Sequence, residues 1–223
     1  MANSMAKKKT KAPRFDRVAP TNLTAGDADG LRSGDHREGE LYERAGLDDQ
    51  DLTGITFLEC SLAAASMNNT ELRGARFLEC SFTELFAPVF RASRSTWRDV
   101  VLDGTRWGSA ELYDGVFEFV RINGGKLDFV NFRSSKLSDV VISHCMIGEL
   151  DLTGVTGSRI AFVNCRIGTL TLSDSRLSDV DLRTSDFRTI NGMEGLRGVT
   201  IDEYQLSLIA PYLADSLGIT VEN

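Results

Sequence analysis

Every fifth residue of this chain is apolar over a stretch that runs from Leu47 to Phe187. Of the 29 positions in this column, 26 hold a large apolar side chain, and the exceptions are Ala87, Ala92 and Gly157. A second column, two residues earlier at each step, holds mostly small or β-branched residues. Neither column contains a charged residue in 58 positions, where the overall composition would place about 15. Any fold for this chain has to accommodate a five-residue period.

A period of five fits neither an α-helix, with 3.6 residues per turn, nor a β-strand, whose side chains alternate with a period of two. A short extended segment followed by a turn, repeated along the chain, keeps both uncharged columns inside. Four such segments make a square coil of about twenty residues, and stacked coils share parallel-strand hydrogen bonds about 4.8 Å apart. Residues 47–186 are then expected to form about seven coils, in a rod about 34 Å long.

Individual five-residue segments resemble the A(D/N)Lxx unit of the pentapeptide-repeat proteins. Examples are Ala110–Asp114, Val180–Thr184 and Gln50–Gly54, and the resemblance covers about 145 of the 223 residues without a slip in register. It implies an all-β fold, a right-handed quadrilateral parallel β-helix. Some bacterial members of that family resemble B-form DNA in size and charge and bind type II topoisomerases, notably DNA gyrase, and others have no known activity. The resemblance therefore implies the fold and leaves the function open.

The charge pattern divides the chain into four parts. The chain has a net charge of −7, yet residues 1–14 alone carry +5. We expect residues 1–14 to be a disordered basic tail, with contact to nucleic acid or anionic lipid as the alternative. Residues 15–44 are expected to cap the first coil, as irregular structure or a short strand near 37–45. Residues 45–190 form the β-helix, and residues 191–223 form a helical cap that is also a possible dimerisation region.

Partner and location follow from charge and hydropathy. The acidic body predicts no direct binding of nucleic acid, because such binding relies on Lys and Arg side chains at phosphates. The sequence has no run of eighteen apolar residues and no apolar segment typical of a signal peptide near its start. We therefore expect a cytoplasmic protein that does not enter a membrane, and the resemblance to the pentapeptide-repeat family implies that it is bacterial.

The C-terminal cap is predicted from a helical pattern. Thr200 and Glu203 have the spacing of a capping box, and Gly218 is a helix terminator. Pro211 interrupts the run, which favours two short helices over one. The apolar residues expected to cover the last coil, and to join two rods as in DNA-mimicking relatives, are Leu206, Ile209, Leu213 and Leu217.

All four cysteines lie in the second column, that of the small or β-branched residues. Members of a pair are twenty residues apart, so Cys60 stacks under Cys80 and Cys145 under Cys165. We expect buried free thiols at these positions, with neither a disulfide nor a metal site, because no CxxC motif or histidine cluster accompanies them. The sequence contains no phosphate-binding loop, metalloprotease motif or nucleophile elbow. We therefore predict a protein that is not an enzyme and needs no cofactor.

Three irregularities interrupt the apolar column. At Ala87 and Ala92 the central side chain is small, but Leu85 and Phe90, two residues earlier in each case, are large, which keeps the core volume. Gly157 is predicted to leave a small void.

Outward-facing residues twenty apart stack into columns, and two of these columns are rich in carboxylates that could bind a partner. The first acidic ladder holds Glu59, Glu79, Asp99, Asp139 and Asp179, and the second holds Asp51, Glu71, Glu111 and Asp151. A basic groove that accepts DNA is able to accept such a rod through the same electric field. The alternative is that these are ordinary solvated charges. Arginines of coil 87–106 interrupt the acidic pattern, and they are Arg91, Arg94, Arg98 and Arg106.

Two functional hypotheses remain open at this stage. The first is a DNA-mimicking ligand or modulator of DNA gyrase that acts through the acidic ladders. The second is a scaffold or interaction module for an unrelated protein partner, which binds through exposed apolar residues such as Val89 and Phe129.

Overall fold

A computed structural model describes residues 9–15 and 20–222 of the chain. The main body is a parallel β-helix, in which each strand pairs with the strands one turn before and after it. The pairing joins residues twenty apart over most of its length, as in Phe117 with Leu137 and Ile122 with Ile142. This register confirms the predicted β-helix of twenty-residue coils.

The elements are short near the N-terminal end and longer in the middle, where single strands continue around several corners. The strands are β1 Thr24–Ala25, β2 His36–Glu38, β3 Glu40–Glu43, β4 Thr56–Leu58, β5 Ser61–Ala63, β6 Arg76–Leu78, β7 Ser81–Thr83, β8 Phe86–Arg91, β9 Thr96–Glu111, β10 Val116–Asn131, β11 Lys136–Asp151, β12 Thr156–Val163, β13 Arg166–Thr171, β14 Arg176–Asp181, β15 Asp186–Asn191 and β16 Val199–Thr200. A 3-10 turn, Met193–Leu196, precedes β16, and the helix is α1 Glu203–Ser216.

The β-helix has about nine turns, whereas the sequence predicted seven. The difference lies at both ends, beyond the limits of the five-residue column. Strand β1 pairs with β3, and β3 pairs with β5 of the repeat, so the predicted N-terminal cap contains further turns. At the other end β16 pairs with β14. Parallel backbone pairing therefore continues beyond both ends of the five-residue apolar pattern.

Each turn has four faces of five residues, which we name after the buried residue at the centre. Face A is centred on Phe117, face B on Ile122, face C on Leu127 and face D on Phe132, together with their equivalents every twenty residues. Edge AB, the corner between faces A and B, holds Phe119 and its equivalents.

The core is a column of stacked side chains that runs through successive turns. Phe77 packs on Phe57 below it and on Trp97 above it, with ring centroids 5.8 and 4.2 Å away. The predicted exchange of volume at Ala87 and Ala92 is confirmed, because Leu85 and Phe90 are both fully buried, and Phe90 stacks on Trp107 at 5.1 Å. Aromatic pairs at these distances add to the free energy gained from burial alone.

The cysteines and Gly157 were two subjects of prediction in the core. All four cysteines are buried free thiols, as predicted. Burial raises the pKa of the Cys60 thiol, which keeps it protonated. The predicted void at Gly157 is wrong, because the side chains of Ile160 and Leu177 occupy the space where a Cβ atom would lie, at 2.7 and 3.0 Å.

The C-terminal end of the rod is closed by helix α1. Its capping box consists of Asp202 and Gln205, three residues apart, so the prediction of Thr200 and Glu203 was wrong by two residues. The side chain of Gln205 is buried, and its Nε2 donates to the carbonyl oxygens of Leu182 and Ser185 at 2.7 and 2.6 Å. The bond to Ser185 gives a partner to a carbonyl oxygen at the end of the rod, whereas the Leu182 oxygen also accepts the backbone N–H of Ser185 at 2.9 Å.

Pro211 does not divide the helix in two, which corrects the second prediction for this region. Helix α1 continues through it from Glu203 to Ser216. The proline removes one backbone donor, and this face of the helix is exposed, so water can satisfy the carbonyl that loses its partner.

We expect Gly168→Ala to destabilise the rod by about 1–3 kcal/mol, because overpacking of a tight site costs that much. An added Cβ atom would lie 2.3 Å from the carbonyl oxygen of Gly148 in the preceding turn. The matched control is Gly46→Ala on the same face, where no atom lies within 4 Å of the added Cβ. Urea unfolding of the two variants should show a lower midpoint for Gly168→Ala alone.

Candidate partner-binding surface

The first acidic ladder lies along edge AB, where the backbone turns from one face to the next. Its positions, from Glu59 through Asp139 to Asp179, all have φ between 52° and 56°. In this left-handed region aspartate is tolerated better than most residues. The same turn geometry is repeated in every coil, so the side chains of this ladder form one straight column along the rod.

Asp139 is the most deeply buried carboxylate of the first ladder, and only 2% of the residue is exposed. The guanidinium group of Arg159, one turn later, donates to both of its oxygens at 2.7 and 2.6 Å. The Ser138 hydroxyl donates a third bond at 3.1 Å. The hydrogen bonds from Arg159 are the main reason that the pKa of Asp139 lies below its usual value.

The N-terminal segment Lys9–Phe15 runs lengthwise along the rod beside this ladder. The backbone N–H of Lys11 donates to Asp179 at 3.2 Å, and the backbone N–H of Arg14 donates to Asp139 at 3.0 Å. Residues 1–8 of the predicted disordered tail lie outside the described residues. Residues 9–14 of it lie against the rod, because they find hydrogen-bond acceptors there.

Both ends of this segment make further contacts with the rod. The ring of Phe15 lies 4.8 Å from the guanidinium carbon of Arg121. The hydroxyl groups of Thr10 and Thr200 are 2.5 Å apart. The segment therefore spans from strand β16 near the C-terminal cap to strand β10 in the middle of the rod.

The second acidic ladder lies on face D and stabilises turns. Asp51, Glu71 and Asp151 each accept the backbone N–H of the residue two positions later, at 3.0, 3.1 and 2.9 Å. Hydrogen bonds from Thr53 lower the pKa of Asp51. Asp151 also accepts a bond of 2.6 Å from Arg133, and Glu111 is half-buried in the same column. Much of this ladder is engaged within the rod.

The net negative charge of the rod is concentrated in its first turns. Residues 20–86 contain thirteen Asp and Glu against five Arg and no Lys. Residues 87–190 contain thirteen acidic and thirteen basic side chains, and so have no net charge. This division was not among the predictions from the sequence, although it is visible when charge is counted turn by turn.

Face C has a different character in the middle of the rod. One column of face C holds Phe86, Arg106, Lys126 and Met146 in successive turns. Phe86 is 50% exposed and Met146 is 55% exposed. A shallow groove of about 920 Å³ runs beside this column. Val89 and Phe129, expected to be exposed, are half-buried. On face C, the large exposed apolar side chains are therefore those of Phe86 and Met146.

The four apolar residues predicted for the C-terminal cap have different environments. Ile209 is buried against the rod, with 4% of the residue exposed, and Leu213 is half-buried. Leu206 and Leu217 are exposed instead. The outer side of α1 adds further exposed apolar residues, which are Tyr204, Leu208 and Tyr212. Only part of the predicted set covers the last coil.

The repeat and the strand register together decide the fold class. Four five-residue faces per turn, with parallel pairing of residues twenty apart, define a quadrilateral β-helix. The chain has the pentapeptide-repeat fold. No protein-family model matches the chain, and no curated protein matches it.

Solved structures similar to the pentapeptide-repeat rod include those of QnrB1 and HetL. QnrB1 is described as a plasmid-mediated fluoroquinolone resistance protein. A trypsin-treated variant of it is 17% identical, with 85% of this chain and 100% of that chain covered and a TM-score of 0.37. HetL is a pentapeptide-repeat protein involved in heterocyst differentiation regulation from the cyanobacterium Nostoc sp. strain PCC 7120. It is 15% identical over 79% of this chain and 94% of that chain, with a TM-score of 0.23.

Within residues 9–15 and 20–222, no three His, Cys, Asp or Glu side chains come together as a set of metal ligands. The same ranges contain no helix of the length and apolarity needed to span a membrane.

We expect Asp139→Asn to lower the stability of the rod at pH 7. The pKa of Asp139 is depressed in the folded state, so its charged form contributes stability above its unfolded pKa of about 3.9. That contribution is lost as the pH falls through the folded pKa. Urea unfolding should therefore show a gap between wild type and Asp139→Asn that is largest at pH 7 and smaller at pH 3. Asp174→Asn, at an exposed corner of the rod, is the control and should show no comparable gap.

Proposed function

We propose that this pentapeptide-repeat protein is a bacterial, cytoplasmic, non-enzymatic binding protein whose acidic turns contact a nucleic-acid-handling partner. DNA gyrase, or a related type II topoisomerase, is the candidate partner. The proposal narrows the binding surface to the turns formed by residues 20–86.

The excess of carboxylates in these turns is the observation that carries the proposal. Glu43 and Glu59 are exposed there, and the thirteen acidic residues of this part outnumber the arginines by eight. A cleft that normally holds DNA has a positive field, which attracts an acidic rod as it attracts phosphates. The neutral turns of residues 87–190 lack that attraction, so DNA mimicry would involve only the first turns.

A binding role also agrees with the shape of the molecule. Its core is filled by stacked side chains, and the internal cavity at Trp97 and Trp107 amounts to only about 10 Å³. Enzyme sites are concave pockets with converging polar groups, typically of about 300–1,000 Å³. The depressions on the rod surface reach that volume, as the groove of about 920 Å³ on face C does, but they are open grooves along the faces and do not enclose a ligand.

We expect the protein to alter DNA supercoiling by purified gyrase, and Glu43→Lys/Glu59→Lys to weaken this effect at least tenfold. The double substitution changes the charge of the acidic turns by four units. The matched control is Glu149→Lys/Asp186→Lys, which makes the same change at exposed positions in the neutral part. Supercoiling and direct binding should be measured with and without DNA and a quinolone.

The two variants separate a specific surface from a general charge effect. Equal losses in both would mean that only total charge matters, and would refute the assignment to the first turns. No effect of wild-type protein on gyrase at micromolar concentration would refute the gyrase proposal.

A scaffold for an unrelated protein partner is the second candidate function. The observation that favours it is the exposed column on face C, in which Phe86 and Met146 flank Arg106 and Lys126. Exposed apolar side chains bordered by charge are typical of protein–protein contact sites. If gyrase does not bind, affinity capture with the wild type and with Phe86→Ser/Met146→Ser would test this face.

We also propose that the C-terminal helix joins two copies of the chain. Leu208 and Tyr212 lie four residues apart on α1, and are 46% and 62% exposed. A two-fold axis would place the same stripe of both copies in contact, as in most homodimers. Leu208→Ser/Tyr212→Ser should convert a dimer to a monomer in sedimentation equilibrium, whereas Glu149→Lys/Asp186→Lys should remain dimeric. A monomeric wild type would contradict the proposal.

A further inference from the structure

The N-terminal segment meets the first acidic ladder at a spacing set by the geometry of both partners. Asp139 and Asp179 are two turns apart, about 9.6 Å at about 4.8 Å per turn. Lys11 and Arg14 are three residues apart, about 10 Å in an extended chain at about 3.3 Å per residue. An extended peptide that runs along the rod therefore presents one backbone N–H to every second turn of this edge.

One of the two acceptors, Asp139, is held in position by the rod itself. Asp139 is fixed by both hydrogen bonds from Arg159, and yet one of its oxygens also accepts the N–H of Arg14. Asp179 is half-buried two turns further on. A fixed acceptor reduces the entropy lost when a peptide binds, so the Asp139 end of the edge is organised before the segment arrives.

Charge complements this geometry. The described segment has Lys9, Lys11 and Arg14 and no acidic residue, and its backbone donates to Asp139 and Asp179, between which Arg159 lies in the same column. Charge-assisted hydrogen bonds from backbone N–H groups to carboxylates are stronger than those between neutral groups. The segment is thus recognised through its main chain, and because the acceptors are carboxylates the track favours a basic segment over an acidic one.

We propose that edge AB between Asp139 and Asp179 is a binding track for an extended basic peptide, and that residues 9–15 occupy it as an intramolecular ligand. The partner that fits the track is a segment of another protein that is extended, rich in Lys or Arg, and free to donate backbone N–H groups three residues apart. Such a segment binds when the N-terminal residues leave the track. This inference does not depend on whether the first turns bind gyrase.

The covalent connection explains why the track is occupied in the free protein. A tethered ligand has an effective concentration in the millimolar range, so a weak peptide contact is mostly formed. A competing peptide has to overcome that concentration, or act where the N-terminal segment is engaged elsewhere. The segment therefore keeps the track closed to weak ligands.

Proline substitutions in the full chain open the track without touching the rod. Lys11→Pro/Arg14→Pro removes the two N–H groups that donate to Asp179 and Asp139. The matched control is Ala12→Pro, at an exposed position between them. The probe is a fluorescein-labelled synthetic peptide with the sequence of Lys9–Phe15, and the measurement is fluorescence anisotropy at physiological salt.

We expect the peptide to bind Lys11→Pro/Arg14→Pro at least tenfold more tightly than wild type or Ala12→Pro. Adding Asp179→Ala to the opened variant should weaken binding about tenfold, because that residue accepts one of the two N–H groups. Equal affinity for the wild type and the opened variant would overturn the proposal, and so would the absence of binding to either. Binding that Asp179→Ala leaves unchanged would reveal general charge attraction and also overturn it.

Discussion

The parallel hydrogen bonds between residues twenty apart are the interaction on which the rest of this structure depends. They place each side chain directly above its equivalent in the previous turn, as for Phe117 and Leu137. The size, packing or charge that one position demands is therefore demanded of every residue in the same column. The aromatic stack of the core, the close glycine contacts of face C and the carboxylates of edge AB are all results of this repetition.

Repetition is favourable for apolar side chains and unfavourable for charged ones. Stacked rings gain contact with each further turn, whereas carboxylates about 4.8 Å apart repel each other. The rod reduces this repulsion locally. Arg159 stands one turn from Asp139, and Arg133 pairs with Asp151. Where such partners are fewer, in the turns of residues 20–86, negative charge accumulates and is available for a partner.

The predictions from sequence succeeded where a column of side chains carried the information. The β-helix, the buried thiols and the volume exchange around Phe90 follow from a repeated inward position that excludes charge. The predictions failed where no column existed. The additional turns formed by β1–β3 and β16 are held by backbone hydrogen bonds. These bonds form without the five-residue apolar pattern, so the sequence did not reveal them. Pro211 was misjudged because the exposure of its helix face is not visible in the sequence.

The sequence by itself determined the period, the twenty-residue turn and which side chains point inward, because an uncharged column admits only one arrangement over so many repeats. It also defined the acidic ladders as columns. Only the tertiary structure decided which carboxylates are engaged: Asp139 with Arg159 and the N-terminal segment, and Asp51 with its own turn. Those contacts join residues up to 168 positions apart, such as Lys11 and Asp179. Distances of that kind are set by the stacking of turns, and no local pattern in the sequence contains them.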